Sequence, residues 1–301
     1  MSVEIKQITK LFGKQKALNA VSFSIKKGEL VGFLGPNGAG KSTMMKIITG
    51  FLPADSGQAY VNGQKIESKN LEIRKNIGYL PEHNPLYTDL YVKEFLEITA
   101  GFYKLKNIKK HIAEMIDLTG LGDEQHKKIR ALSKGYRQRI GLAQALIHDP
   151  SVLILDEPTT GLDPNQLEEI RQLIREISRE KTVMLSSHIM QEVEAVCNRV
   201  IIINKGIIVA DGGINEIKSG KINRNQIVFA EFSTPIKPEK LMEIEGVKNA
   251  VLNGNILEIE STGEKDIRPA IFEFAVKNQL ILLTLNEKQQ NLAHVFHQLT
   301  K

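Results

Sequence analysis

Hydrophobic and polar positions along residues 1–220 alternate between short strand patterns and longer helical ones. Val3, Ile5 and Ile8, then Ala20-Val21-Ser22-Phe23-Ser24-Ile25, read as two edge strands closed by the turn Lys26-Lys27-Gly28-Glu29. Leu30–Leu34 is an unbroken apolar run of the kind a parallel strand buried on both faces requires. Met44, Met45, Ile47 and Ile48 follow at helical spacing, and Gly50 is placed to end that helix. Ala59–Val61 and Gln64–Ile66 across Asn62-Gly63 predict a hairpin, and Ile77–Leu80 a further strand. From Val92 to Leu121 the period becomes helical, with Phe95, Ile98, Phe102, Ile112, Met115, Ile116 and Leu118 on the apolar side. Ser133 stands as cap of the next helix, which stops by Asp149-Pro150. Val152–Leu155 and Val183–Leu185 are buried strands separated by a helix that opens at Asp163-Pro164, and Val200–Ile203 with Ile207–Val209 make a closing hairpin.

The pattern changes near Ser219-Gly220-Lys221. Beyond it come a strand at Gln226–Phe232, a helix at Lys237–Ile244 and a hairpin of Val247–Leu252 and Ile256–Ile259 across Asn253-Gly254. A helix at Ile267–Val276, a strand at Leu280–Leu285 and a helix at Asn291–Leu299 complete a βαββαβ order, ferredoxin-like in outline. That order predicts an α/β core over 1–220, with a helical insert at about 90–145, and a small α+β domain over 221–301. A chain of 301 residues is long enough for both. The second domain holds no acid pair, metal spacing or glycine loop, which suits an interaction or regulatory module.

Composition narrows the setting. Forty basic residues face 35 acidic ones, a net +5, so the excess is too mild for a nucleic-acid footprint. It fits a protein that handles polyphosphate or sits beside an anionic membrane. One cysteine, Cys197, rules out an internal disulfide and a thiolate metal cluster, and implies a cytoplasmic home. Met1–Gln7 has no signal-peptide core. No apolar run approaches the roughly 18 residues that cross a bilayer, so any transport path must belong to another chain.

The chemistry is concentrated at Gly35-Pro36-Asn37-Gly38-Ala39-Gly40-Lys41-Ser42-Thr43, a G-x-x-x-x-G-K-S pattern set between strand and helix. Its glycines let successive N–H groups turn toward phosphate oxygens, and the helix adds its positive end. Lys41 supplies charge to the β- and γ-phosphates, and the Ser42 hydroxyl can ligate Mg²⁺. The strand Val152–Leu155 delivers Asp156 and Glu157 to its carboxyl end, where α/β sheets bind ligands. Asp156 suits the Mg²⁺ shell, and Glu157 suits a base for the attacking water. Asp163 has a sufficient reason to exist as a helix cap. Phe12 reads equally as a core plug or as a platform for a purine. His188 sits where the γ-phosphate would lie.

Taken together, these residues resemble the nucleotide-binding subunit of an ATP-binding cassette (ABC) transporter, over about residues 2–220. By that resemblance Gly35–Thr43 is Walker A, Val152–Glu157 Walker B, Leu132–Gly135 the family signature and Gly161–Asp163 the D-loop. His188 is then the switch histidine and Phe12 the adenine contact. The resemblance implies ATP hydrolysis and a head-to-tail dimer, homodimeric or pseudo-homodimeric. Ser133, Lys134 and Gly135 of one cassette would cap ATP held by the other. It also implies a transmembrane permease partner that keeps the chain at the inner face of the membrane.

Two departures from the common pattern, Leu132-Ser133-Lys134-Gly135-Tyr136 and Glu82 after Tyr79-Leu80-Pro81, are similar to the ABC-2 exporter branch. Within that branch the likeness is to gliding-motility transporters, and Glu82 becomes a further candidate for the Mg²⁺ shell. A soluble ABC ATPase acting on ribosomes or nucleic acid is the competing class, against which stand the single cassette and the lack of sustained heptads.

Overall fold

The computed structural model describes residues 1–67, 70–218, 227–263, 266–287 and 292–300. They form two compact units, Met1–Asp211 and Gly212–Leu299. The expected boundary at 220/221 lies outside the described residues, as do Gln226 and Asn291 at the starts of two expected elements.

The first unit opens with the hairpin β1 (Val3–Phe12) and β2 (Gln15–Ile25), then β3 (Leu30–Leu34) and α1 (Lys41–Ile48). Next come β4 (Ser56–Val61), β5 (Gln64–Lys65), α2 (Leu71–Arg74) and β6 (Ile77–Leu80). The expected helical stretch is two helices, α3 (Val92–Phe102) and α4 (Ile108–Leu118), followed by α5 (Lys134–Leu146). The core resumes with β7 (Val152–Asp156), α6 (Pro164–Ser178), β8 (Thr182–Ser187), α7 (Met190–Val196), β9 (Arg199–Asn204) and β10 (Ile207–Gly213).

Two sheets organise these elements. One has the order β2-β1-β4-β5 with antiparallel pairing. The other has the order β10-β9-β3-β8-β7-β6, in which the five strands from β9 to β6 run parallel. Every residue of β7 and β8 is buried, which explains why they read as continuous apolar runs rather than alternating ones. Met44, Met45, Ile47 and Ile48 of α1 join Val31, Phe33, Ile154, Met184 and Ile201 in one cluster. Fully burying a side chain such as Phe33 contributes about 1.5–3 kcal/mol. A second core joins Phe95, Leu96 and Ala100 of α3 to Ile112 and Ile116 of α4 and Ile140 and Ala143 of α5. Because the five parallel strands end on one side, their C-terminal loops gather there, and these carry the candidate site.

The second unit begins with α8 (Ile214–Lys218) and continues β11 (Ile227–Phe232), α9 (Pro238–Leu241), β12 (Val247–Asn253) and β13 (Ile256–Ser261). It ends with α10 (Arg268–Lys277), β14 (Leu282–Glu287) and α11 (Leu292–Thr300). The antiparallel order β12-β13-β11-β14 is that of a ferredoxin-like sheet. Ile271 and Ala275 of α10 close its core against Val228, Ala230, Leu257 and Ile259. Two expected spans shift. The helix expected at Lys237–Ile244 keeps only one turn, because the chain must reverse at Gly246, φ 93°, to enter β12. The strand expected from Leu280 starts at Leu282, because the Leu280 N–H is spent closing α10 on the Ala275 carbonyl.

Candidate active site

β3 delivers the chain into the glycine loop, whose first N–H, that of Gly35, donates to the Ser187 carbonyl at the end of β8. The loop turns through Gly38 (φ 79°) and Gly40 (φ 111°). At Gly40 the left-handed backbone is reinforced by space, since a Cβ would lie 2.6 Å from the Ala17 carbonyl oxygen. Asn37 is exposed at the tip, whereas Ala39 is buried and donates its N–H to Pro36. α1 starts at Lys41 with no acidic residue in its first turn, so nothing there offsets the positive end of the helix. Ser42 and Thr43 are half-buried in that turn.

Lys41 is only 6% exposed. Its ammonium donates to the Gly35 carbonyl at 2.8 Å and the Pro36 carbonyl at 3.4 Å, and lies 3.4 Å from Glu157 Oε1. The cation thus folds back into its own loop and meets Glu157 there.

Asp156 ends β7, buried, and its Oδ1 accepts from the Ser186 hydroxyl at 2.6 Å. That hydroxyl in turn accepts the Glu157 N–H at 3.0 Å, so one serine of β8 fixes both acids. Glu157 takes a left-handed backbone, φ 52°, which costs a residue with a Cβ about 1–2 kcal/mol. The turn aims its side chain at Lys41 rather than along the strand. Glu157 Oε2 accepts from His188 Nδ1 at 2.9 Å and from the Thr160 hydroxyl at 3.0 Å. Lys41, Glu157 and His188 therefore form one contiguous line of charge and hydrogen bonds at the strand ends.

The signature residues gather elsewhere. Ser133 caps α5, accepting from the Tyr136 N–H at 3.3 Å, and also receives Gln166 Nε2 at 3.3 Å. Asp163 caps α6 through the N–H groups of Asn165 and Gln166, with Pro164 in the first turn. Gly135 is buried under the Gln166 side chain, where a Cβ would come within 2.6 Å of its amide carbon. A Cβ at Gly161, φ 73°, would run into the Lys134 ammonium. Ser133, Lys134 and Gly135 thus meet Gly161 and Gln166 of their own chain.

Phe12 is the last residue of β1 and is 53% exposed, which removes the core-plug alternative. The Lys10 ammonium lies 5.9 Å from its ring centre. Asp55 holds Lys10 at 2.9 Å and accepts the Leu11 N–H at 2.6 Å, and those two hydrogen bonds keep its carboxyl below the usual range. Glu82 is exposed in the loop after β6. Burial first, and then the charges of Asp156 and Glu82, push the Tyr79 phenol well above its ordinary value.

Sequence reasoning passed over Ser186, Ser187, Thr159, Thr160 and Glu192, all of which hold the site together. The available signal was the two hydroxyls that end a buried strand immediately before His188.

This geometry is that of a nucleotide triphosphatase, and comparison with known proteins identifies its kind. The family model described as "ABC transporter" matches residues 18–160. An uncharacterised ABC transporter ATP-binding protein of Bacillus subtilis, YhcH, is 34% identical over 304 residues, 99% of this chain and 95% of its own. The linearmycin resistance ATP-binding protein LnrL of the same organism is 33% identical, covering 99% of this chain and 98% of its own. The bacitracin transport ATP-binding protein BcrA of Bacillus licheniformis is 37% identical over 247 residues, 81% of this chain and 79% of its own. Among solved structures, the dimeric post-hydrolysis state of the ATP-binding cassette MJ0796, bound to ADP and Pi, superposes with a TM-score of 0.64. It is 28% identical and covers 70% of this chain and 98% of that one. The chain belongs to the ABC transporter ATP-binding subunits, and it is an ATPase. Subunits of this kind dimerise and work with transmembrane permease components. Among the described residues, no helix is long and apolar enough to cross a membrane.

Proposed function

We propose that this subunit powers an ABC-2 type exporter, docking on its permease through the helical part of the first unit. The observation that carries this reading is an apolar groove of about 870 Å³ lined by residues of β6 and the loop after it, of α3, and of the C-terminal end of α5 and the turn beyond, among them Tyr79, Pro81 and His148. Phe51, Tyr87 and Phe102 line it as well and are 66%, 60% and 77% exposed. Large aromatics left open in one concave patch mark an interaction surface. Kinship over nearly the full length to the linearmycin resistance subunit supports export. The signature variant, Glu82 and the C-terminal module ending at residues 292–300 carry the likeness to that branch, and gliding motility is the narrower reading within it. With the cassette taken as 1–220, the domain of 221–301 serves as its interaction or regulatory module.

In this reading ATP binds at the glycine loop and exchanges the partners of Lys41, whose ammonium leaves the Gly35 carbonyl and Glu157 for the β- and γ-phosphates. Glu157, freed from that pair, accepts a proton from the attacking water, and His188 holds the carboxylate in place and contacts the γ-phosphate. Phe12 stacks on the adenine. The hydroxyl of Ser42 and the carboxylate of Asp156 are hard oxygen donors that would hold Mg²⁺, and Glu82 would be a further oxygen donor for it. Bound there, Mg²⁺ would neutralise charge on the phosphates. Ser133, Lys134 and Gly135 close the site from the second cassette, adding a helix N-terminus where charge develops.

Purification of the tagged chain from native membranes tests the reading. A polytopic membrane protein should co-purify, and Phe102→Asp should abolish that association while ATP binding is kept. Recovery of ribosomes or nucleic acid in its place would contradict it.

A further inference from the structure

Glu192, in the first turn of α7, is a carboxylate only 4% exposed. Among the described residues no cation pairs with it, and two hydroxyls hold it. The Thr159 hydroxyl donates to its Oε2 at 2.6 Å and the Ser187 hydroxyl at 2.8 Å. Both donors are themselves buried. Their positions in the chain matter. Thr159 lies two residues beyond Glu157 and two before Gly161, where the backbone turns left-handed at φ 73°. Ser187 is the last residue of β8 and immediately precedes His188. One oxygen of Glu192 therefore joins the segment that leaves Walker B to the segment that carries the histidine.

A buried carboxylate is retained only where hydrogen bonds satisfy it, and bonds to a charged acceptor are shorter and stronger than neutral ones. We infer that Glu192 is a positioning residue for hydrolysis, a clamp that sets the spacing of Glu157 and His188 from behind. With both exits tied to one atom, the 2.9 Å contact between His188 and Glu157 stays in register as the loops exchange partners on binding nucleotide. Without the clamp the exits of β7 and β8 separate, and a displacement of about 1 Å in catalytic geometry can lower a rate by about 10²-fold. The hydrogen bonds of Glu192 go to Thr159 and Ser187, and the glycine loop meets Ser187 at its backbone carbonyl rather than at the clamped hydroxyl, so nucleotide affinity should hold.

This inference rests on the reading of Glu157 and His188 as the hydrolytic pair. The test measures kcat, KM and the ATP dissociation constant of the full chain carrying Glu192→Ala, Glu192→Gln, Thr159→Val or Glu157→Gln. Glu192→Ala should lower kcat by about 10–100-fold with ATP affinity unchanged. Glu192→Gln, whose amide oxygen accepts both hydroxyls, should stay within about threefold of wild type. Wild-type kcat in Glu192→Ala, or a parallel loss of ATP affinity, overturns the clamp. If Glu192→Ala does not fold, Thr159→Val carries the same test, and an unchanged kcat there overturns it. A Glu157→Gln protein with wild-type turnover would instead remove the reading beneath it.

Discussion

Replacing Lys41 with methionine keeps the volume of the side chain and removes its charge. In the nucleotide-free chain, Glu157 then loses the cation 3.4 Å from its Oε1, with both groups only 6% exposed. At an effective dielectric of about 20, that pair is worth about 5 kcal/mol of Coulomb energy before desolvation is subtracted. Breaking a buried pair from one side costs about 3–5 kcal/mol. Glu157 keeps the hydrogen bonds from His188 and Thr160, so the lower figure applies, about 3 kcal/mol. For a unit of this size each kcal/mol moves the melting temperature by about 2–4 °C, giving a fall of about 6–12 °C. Glu157→Gln is the asymmetric control. Lys41 retains the Gly35 and Pro36 carbonyls, and the loss should be about 1 kcal/mol. Thermal melting by far-ultraviolet circular dichroism without nucleotide reads both variants, and nucleotide titration should show that Lys41→Met has lost ATP. A Lys41→Met protein melting within about 2 °C of wild type, or one more stable than Glu157→Gln, would refute the argument.

Further outcomes follow from other parts of the molecule. Lys134→Glu should weaken ATP-dependent dimerisation, measured by analytical ultracentrifugation, without changing the ATP affinity of the monomer, and an equal loss of affinity would place its action within one chain. His148 stacks on Tyr103 at 4.0 Å and donates from Nε2 to the Ile77 carbonyl, which leaves Nδ1 buried without a partner. Burial holds its pKa below the ordinary 6.5, so the unfolded chain takes up the proton first as pH falls. The stability contributed by neutral His148 is therefore full above about pH 6.5 and is lost as pH falls from there through the folded-state value. Melting temperatures between pH 7.5 and 5.5 should show that slope, and His148→Gln should flatten it.

Much of this was legible in the sequence, for identifiable reasons. Strands buried on both faces, such as Val152–Asp156, announce themselves as apolar runs, and glycines beside a lysine and a serine declare the phosphate loop. Capping residues marked the starts of α5 and α6, because Ser133 and Asp163 act on N–H groups two or three positions away. What stayed hidden depends on contacts distant in the chain. The left-handed turn at Glu157 is stabilised by Ser186, and no local residue preference forecasts it. The Thr159–Glu192–Ser187 cluster joins positions 33 residues apart, from the turn after β7 to β8 and α7. The Lys134–Gly161 approach likewise joins the first residue of α5 to the turn before α6, positions brought together by tertiary packing.

The most direct test of the account concerns coupling between nucleotide and assembly. The full chain carrying Glu157→Gln keeps Lys41, the glycine loop and Asp156, and loses only the base, a change of about 10²–10⁴ in rate. Size-exclusion chromatography with light scattering, run with saturating ATP and Mg²⁺, should show this variant as an ATP-bound dimer and the wild type mostly as monomer. A Glu157→Gln protein that binds ATP yet remains monomeric would contradict head-to-tail closure.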